Sequence, residues 1–426
     1  MNILHITPHL GGGAGKAISG AALDCTEFSS RIFMLEKPEH GRFVDLCAEG
    51  GCEIVVEPDS DTIRRAAAES EAVIIDWWAH PLSVKALKAL DDTEARLILW
   101  SHINGLCYPF LLQEFVNAFD GVMVTSPCVF RNKFWSGGQR EQIKKKSRVV
   151  YGTGSFQPEN CRFKTSYHSE GLLKIGYAGT VDYSKMNRDF PRICSLILES
   201  TDNVRFYIYG KCTKEFTDRF FSEYPQLRGF VSFMGFADNM GSVYPELDLF
   251  LYPLTPENFA TTENSMLEAM AAALPVVALN NPPEAEIIHN GIDGILADSC
   301  EDAAKAVIRL CGQEQLRERL GKAARKSIIG SYSIEKNMEN MCACINETLK
   351  NPKRRHSFGR LIGKTPWDDF LYFCGSDKEK ILRIMSGDKN IVLPDIYKSE
   401  SKSSPRHYLR YYPDNCEFLQ LVEMIL

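Results

Sequence analysis

The sequence predicts an α/β protein made of two doubly wound parallel-sheet domains. Three observations carry that reading. The chain has 426 residues, too many for one ordinary core. Short apolar runs rich in β-branched and aromatic residues alternate with longer helical stretches. The alternation comes as two series, separated by a stretch without a clear period.

The first series places strands at Asn2 to Thr7, Arg31 to Leu35, Glu53 to Val56, Ala72 to Asp76, Arg96 to Trp100 and Gly121 to Thr125, with Ser147 to Gly152 closing it. Thr153 to Gly171 holds Pro158, glycines, serines and charges and reads as the linker. The second series predicts strands at Leu173 to Tyr177, Val204 to Tyr209, Val231 to Phe233, Leu249 to Tyr252, Val276 to Leu279 and Gly294 to Leu296. Runs such as Val204 to Tyr209 lack strict alternation, as expected when helices cover both faces of a sheet. Helices at Glu301 to Cys311, Gln313 to Lys326 and Ile334 to Leu349 follow, then a polar, Lys/Arg-rich tail with few signals beyond Trp367 to Cys374. The expected divisions are therefore 1–165, 166–350 and an extension at 351–426.

With 44% hydrophobic and 24% charged residues the chain belongs to the globular class. A net charge of −6 argues against a general nucleic-acid binder. The local basic runs Lys144 to Lys146 and Lys353 to Arg355 read as solvated faces or as a patch for anionic lipid. Fourteen cysteines without a C-x-x-C pair give neither a zinc nor a redox motif. Together with a start that lacks an export signal, they lead us to expect a cytoplasmic protein. No apolar run approaches the length of a membrane span.

Ligands of doubly wound sheets bind beyond the carboxyl ends of the strands, so the loops there are the places to search. The segment Thr261 to Leu279 opens a helix whose first amides, at Asn264 and Ser265, would cradle a diphosphate. Ser265 followed three residues later by Glu268 also reads as a capping box. Glu263, in the same loop, is either a ligand-facing carboxylate or an outward glutamate favoured by the helix dipole. Lys185 lies in the loop Gly179 to Met186, where it meets a phosphate or is simply a surface lysine. In the first domain, the run Pro8 to Lys16 holds Gly11, Gly12, Gly13 and Gly15. It is no P-loop, because Leu10 and Ala17 stand where glycine and Ser/Thr are needed. A dinucleotide fingerprint starting at Gly13 is broken at Ile18, although Glu36 sits about where a ribose-binding acid belongs. A plain strand-to-helix turn is the other reading. His102 and His80 each follow a strand end, as functional groups or as buried structural histidines. Trp77 and Trp78 read as core or wall rather than as sugar-stacking platforms.

The run from Glu263 through Leu267-Glu268-Ala269-Met270-Ala271 to Pro275-Val276-Val277 resembles the donor loop, helix and strand of glycosyltransferase family 4, which has the GT-B fold of two Rossmann-like domains facing a cleft. The likeness extends over residues 1 to 345. It implies transfer of a sugar from a nucleoside-diphosphate sugar to a glycan, lipid-linked or protein acceptor, with retention of configuration and without a metal. Polysaccharide or glycolipid assembly is the implied setting, with peripheral contact at the inner face of a membrane. The resemblance gives Glu268 the ribose hydroxyls, Lys185 the leaving diphosphate and His102 the donor sugar. It places Gly12 and Gly13 near the phosphates and acceptor, and leaves Glu263, three residues after the usual glutamate position, either to take over the donor-sugar hydroxyls or to sit near the phosphate. Two positions depart from the family pattern: Ala260 stands where a glutamate is usual, and Thr180 where an arginine is usual. Those departures keep open a catalytically inactive scaffold, and the first-strand glycines keep open a nicotinamide-dependent oxidoreductase.

Overall fold

The computed structural model describes residues 1–38, 40–168, 171–237 and 239–426. They form two compact units, one of Met1–Phe156, Phe259–Thr262 and Ile334–Leu426, the other of Gln157–Asn258 and Glu263–Ser333. Residues 169 and 170 of the expected linker lie outside the described residues.

The first unit is a seven-stranded sheet of β1 (Asn2–Thr7), β2 (Ser29–Met34), β3 (Glu53–Val56), β4 (Ala72–Trp77), β5 (Leu97–Ser101), β6 (Gly121–Val124) and β7 (Ser147–Val149). The order is β3-β2-β1-β4-β5-β6-β7, with every pairing parallel. Successive residues of β1 serve opposite cores. Ile3 packs with Ala17, Ile18 and Ala21 of the helix Gly12–Asp24, and Leu4 and Ile6 pack with Ile63, Leu87 and Phe115. Both faces are thus covered, which accounts for the nearly unbroken apolar strands.

The second unit repeats the plan with six strands: β8 (Leu173–Ala178), β9 (Val204–Tyr209), β10 (Val231–Gly235), β11 (Leu249–Tyr252), β12 (Val276–Leu279) and β13 (Ile295–Ala297). Their order is β10-β9-β8-β11-β12-β13, again parallel throughout. Strand order reverses direction between β1 and β4 in the first unit and between β8 and β11 in the second, and such switch points are where ligands of this architecture bind.

The expected divisions differ from these units at 157–165, which belong to the second unit, at 259–262, which belong to the first, and after residue 333. The helix Ile334–Leu349, placed with the second domain from sequence, lies in the first unit. Its Asn337 exchanges hydrogen bonds with the backbone of Tyr151 at 2.7 and 2.9 Å, and Asn340 donates to the Val149 carbonyl at 3.0 Å. These bonds tie the helix to the edge strand β7. The tail beyond it is also part of the first unit. Its short helices Pro366–Phe373, Lys378–Met385, Pro405–Leu409 and Cys416–Ile425 close on an aromatic core of Phe370, Tyr397, Tyr408 and Phe418, with Trp367 at its side. Tyr108 stacks on Tyr397 with ring centroids 4.2 Å apart, joining that core to the sheet's own loops.

The basic runs are largely solvated, with Lys144, Lys145, Arg354 and Arg355 exposed and Lys146 and Lys353 half-buried. Lys146 donates to the carbonyls of Val116 and Phe119, Arg354 pairs with Asp120, and Arg355 pairs with Glu94. Among the described residues no helix is long and apolar enough to cross a membrane.

Truncating the buried Phe370 ring should cost about 3–5 kcal/mol, the usual range for a core aromatic. Phe370→Ala is therefore expected to lower the denaturation midpoint in urea and to expose the tail to limited proteolysis. A variant as stable and protease-resistant as the parent would show that the tail core carries no weight.

Candidate functional site

In the second unit the groups expected to carry chemistry meet beyond the carboxyl end of the sheet. Strand β8 is followed by Gly179, whose carbonyl comes so close to Gly210, the residue after β9, that a Cβ there would stand 2.0 Å from it. Gly210 also has φ +145°, so glycine is needed there on both counts. The loop that follows is held to the sheet by Tyr177, which donates its hydroxyl to the Thr180 carbonyl at 2.8 Å. Thr180 thus contributes backbone, and its hydroxyl stands where the resemblance expects a guanidinium. A turn on Asp182 then brings Lys185 round, and the Lys185 carbonyl accepts from Thr255 N–H at 2.9 Å.

The Lys185 ammonium lies 3.1 Å from Glu263 Oε2 and 5.8 Å from the centre of the Tyr252 ring. Lys185 is 22% exposed whereas the Glu263 side chain is wholly buried. Neither the surface-lysine reading nor the outward-glutamate reading describes this pair. Tyr252 adds a hydroxyl hydrogen bond of 2.8 Å to the same carboxylate oxygen.

The helix Asn264–Ala271 begins directly after Glu263, which is its N-cap by backbone but makes no side-chain cap. Ser265 is therefore the second helical residue, and the Ser265–Glu268 capping box does not form. Tyr244 takes up those side chains instead: its hydroxyl reaches Glu268 Oε2 at 3.4 Å and hydrogen-bonds with Ser265. Asn264, Ser265 and Glu268 are all half-buried at this helix start, with its amides and positive dipole end.

Sequence reasoning missed Glu284. It opens the 3₁₀ turn Glu284–Glu286, just after Asn280-Asn281-Pro282-Pro283 at the end of β12, is fully buried, and takes a hydrogen bond from Asn281 Nδ2 at 3.3 Å. Burial, and then the charge of Glu263, raise its carboxyl to about 8. The available signal was position alone, a carboxylate one turn beyond a buried strand.

The first unit gathers a different set at its own strand ends. Gly12 opens the helix Gly12–Asp24 with φ +57°, a conformation that favours glycine, and both Gly12 and Gly13 are exposed. His9 Nδ1 accepts from Gly11 N–H at 3.0 Å, which leaves its Nε2 as the donor toward Glu36, 3.9 Å away. His80 Nδ1 likewise accepts from Leu82 N–H, so its Nε2 faces Glu36 at 3.4 Å. The tail completes the cluster, because Tyr411 donates its hydroxyl to Glu36 Oε2. Burial works to raise the Glu36 carboxyl, but hydrogen bonds from His80 and Tyr411 outweigh it and bring it down to about 2. This carboxylate, the acid that a dinucleotide reading would assign to a ribose, is committed to three side chains of its own unit.

His102 lies past β5 with its Nε2 3.4 Å from Asp76 Oδ1, while His5 Nδ1 holds the other Asp76 oxygen at 3.2 Å. Trp77 is core, 4.5 Å from the Phe115 ring, and Trp78 is a half-buried wall among His9, His80 and His102. Ala260 belongs to this unit too, its carbonyl accepting from Asn104 Nδ2 at 2.9 Å. Among the described residues no cluster of His, Cys, Asp and Glu has the arrangement of a metal site.

Solved structures repeat this architecture. The Anabaena protein HepE, crystallised with UDP, superposes with a TM-score of 0.66 at 14% identity, over 81% of this chain and 100% of that one. The protein TarM superposes with a TM-score of 0.63 at 12% identity, over 81% of this chain and 99% of TarM. The chain has the GT-B fold. The family model described as "Glycosyl transferases group 1" matches residues 173–313 of this GT-B protein, a stretch that contains Lys185, Glu263, Glu268 and Glu284. Among curated proteins it is similar to the capsular polysaccharide biosynthesis glycosyltransferase CapM of Staphylococcus aureus, 25% identical over 49% of this chain and 57% of CapM. It is also similar to the glycosyltransferase EpsD of Bacillus subtilis, 23% identical over 48% of this chain and 54% of EpsD. The chain spans about half the length of these curated relatives.

The tail histidine His407 supplies a pH test of the first-unit cluster. Burial first, then the charges of His80 and Arg410, depress it to about 3. Between that value and its ordinary 6.5 the unfolded chain binds the extra proton, so stability falls as pH drops through this window. Glu36 adds a second loss between its ordinary 4.5 and about 2. Urea unfolding at a series of pH values should show stability declining steadily below about pH 6.5, with a shallower decline for His407→Gln. A flat profile would exclude the buried neutral imidazole.

Proposed function

We propose that this GT-B protein is a retaining, metal-independent glycosyltransferase that takes a sugar from a nucleoside-diphosphate sugar and passes it to a glycan or glycolipid acceptor. One observation carries the reading: the Lys185 ammonium stands over the strand ends of the second unit, in the stretch matched by the group 1 family model. Support also comes from relatives in capsular polysaccharide assembly, and from HepE having been crystallised with UDP-glucose.

The chemistry follows from the groups present. A departing nucleoside diphosphate gains negative charge as the glycosidic bond breaks, and a preorganised ammonium and helix-start amides at Asn264 and Ser265 stabilise that charge more than they stabilise the bound donor. Glu268 is suited to a vicinal ribose diol, since a carboxylate accepts two hydrogen bonds. Glu263 sets the position of Lys185, and we assign it to the donor site on that ground. In the first unit we assign Gly12 and Gly13, with their exposed backbone, and His102, oriented by Asp76, to sugar and acceptor contacts. Thr180 cannot replace an arginine electrostatically, so Lys185 bears more of the task.

The tests separate this reading from its rivals. A thermal-shift panel should show stabilisation by UDP or GDP and none by nicotinamide dinucleotides, about 2.7 kcal/mol at a hundredfold excess over Kd. Stabilisation by dinucleotides alone would favour an oxidoreductase. Lys185→Ala should lower turnover about 10²- to 10³-fold with an unchanged circular dichroism spectrum, and Glu268→Ala should weaken nucleoside-diphosphate binding about ten- to hundredfold. Nucleotide binding with no turnover of any sugar nucleotide would leave a scaffold protein.

A further inference from the structure

Two buried carboxylates in the second unit are left with one ammonium. Glu263 and Glu284 are both 0% exposed. Lys185 and Tyr252 both bind Glu263 Oε2, and Asn281 binds Glu284 Oε1. The remaining oxygens, Glu263 Oε1 and Glu284 Oε2, are buried and have no hydrogen-bond partner among the described residues. A buried carboxylate oxygen without a donor is strongly disfavoured, and neighbouring carboxylates resist full ionisation. One proton held between the two carboxyls eases both difficulties, because a neutral carboxyl is cheaper to bury and leaves a single charge facing the single ammonium. The upward displacement of Glu284, driven by burial and by Glu263, agrees with that count. The other ionisable groups facing the pair are Lys185 from the loop after β8, Tyr177 of β8 and Tyr252 of β11. Burial and then the charge of Glu263 hold both phenols well above their usual range, so they stay neutral.

We propose that Glu263 and Glu284 share a single proton and serve together as a one-charge counter-ion for Lys185, and that a diphosphate arriving at Lys185 loads a second proton onto the pair. The inference rests on the donor site proposed above. Charge balances through the step. Before binding, the pair at −1 offsets the ammonium at +1. When the diphosphate becomes the partner of the ammonium, the pair would keep a buried, uncompensated charge, and a proton from solvent water adds to a carboxylate oxygen to remove it. Glu284 is in this scheme a positioning residue, acting through Glu263 on Lys185.

Linkage makes the idea measurable, because a ligand that brings a proton with it must bind less tightly as pH rises. The probe is UDP, or GDP where the panel selects it, titrated calorimetrically into the whole protein at about pH 7, where the pair still holds its one proton and the nucleotide phosphates are mostly ionised. Comparing buffers of low and high ionisation enthalpy gives the proton count. About one proton should be taken up per nucleotide, and affinity should weaken by up to about tenfold between about pH 7 and about pH 8. Glu284→Gln, its folding checked by thermal unfolding, should abolish the uptake and flatten the pH dependence. Nucleotide binding without proton uptake in the parent protein overturns the inference while leaving the donor site standing, and so does a folded Glu284→Gln protein with undiminished uptake. Failure of both nucleotides to bind overturns the donor site and this inference with it.

Discussion

A parallel sheet clad by helices on both faces exposes only its strand ends, and this constraint governs where everything else in the molecule can be. It dictates the apolar strands, which have no wet side. It also dictates that polar groups collect where the strands stop, which is where Lys185, Glu263, Glu268 and Glu284 lie in the second unit and His9, Glu36, His80 and His102 in the first. Each unit resolves the resulting charge problem in its own way. The first surrounds each of its carboxylates with imidazoles, Asp76 with His5 and His102 and Glu36 with His9 and His80, and adds a phenol to Glu36. The second assembles more carboxylate than ammonium and must therefore manage protons.

This contrast bears on which unit is equipped to receive an anion. The first-unit cluster is internally saturated: His9 and His80 each have one nitrogen committed to a backbone amide and the other directed at Glu36. Its role is to fasten the tail to the sheet. The second-unit cluster holds an ammonium that is partly exposed beside a helix start, and two carboxylate oxygens without donors. A set of groups so incompletely matched is poised to respond to a ligand.

Much of the fold was legible from the sequence because parallel strands are short, apolar and bounded by breakers; β1, β3, β9, β11 and β12 begin and end at the residues expected. The tail was not legible. Its core is made of aromatic residues from helices of five to ten residues, too short for a period to emerge, and Tyr397 comes from a single 3₁₀ turn. At the candidate site, spacing found Lys185 and Glu268. It could not decide between a cap and a ligand contact for Glu268, because that depended on whether the helix started at Asn264 or two residues later, a distinction finer than pattern reading resolves. Glu284 was invisible because its significance lies in Glu263, which is close in space and distant in sequence.

The first unit is threaded: residues 1–156 wait for a loop strand at Phe259–Thr262 and for everything from Ile334 onward, while the whole second unit is encoded between them. Domains made on the ribosome commonly fold in the order they emerge. Here the unit begun first is finished last, since β7 receives its covering helix and Glu36 its tyrosine only after Ser333 has been added. During synthesis the half-built sheet must stay open until its final segment arrives.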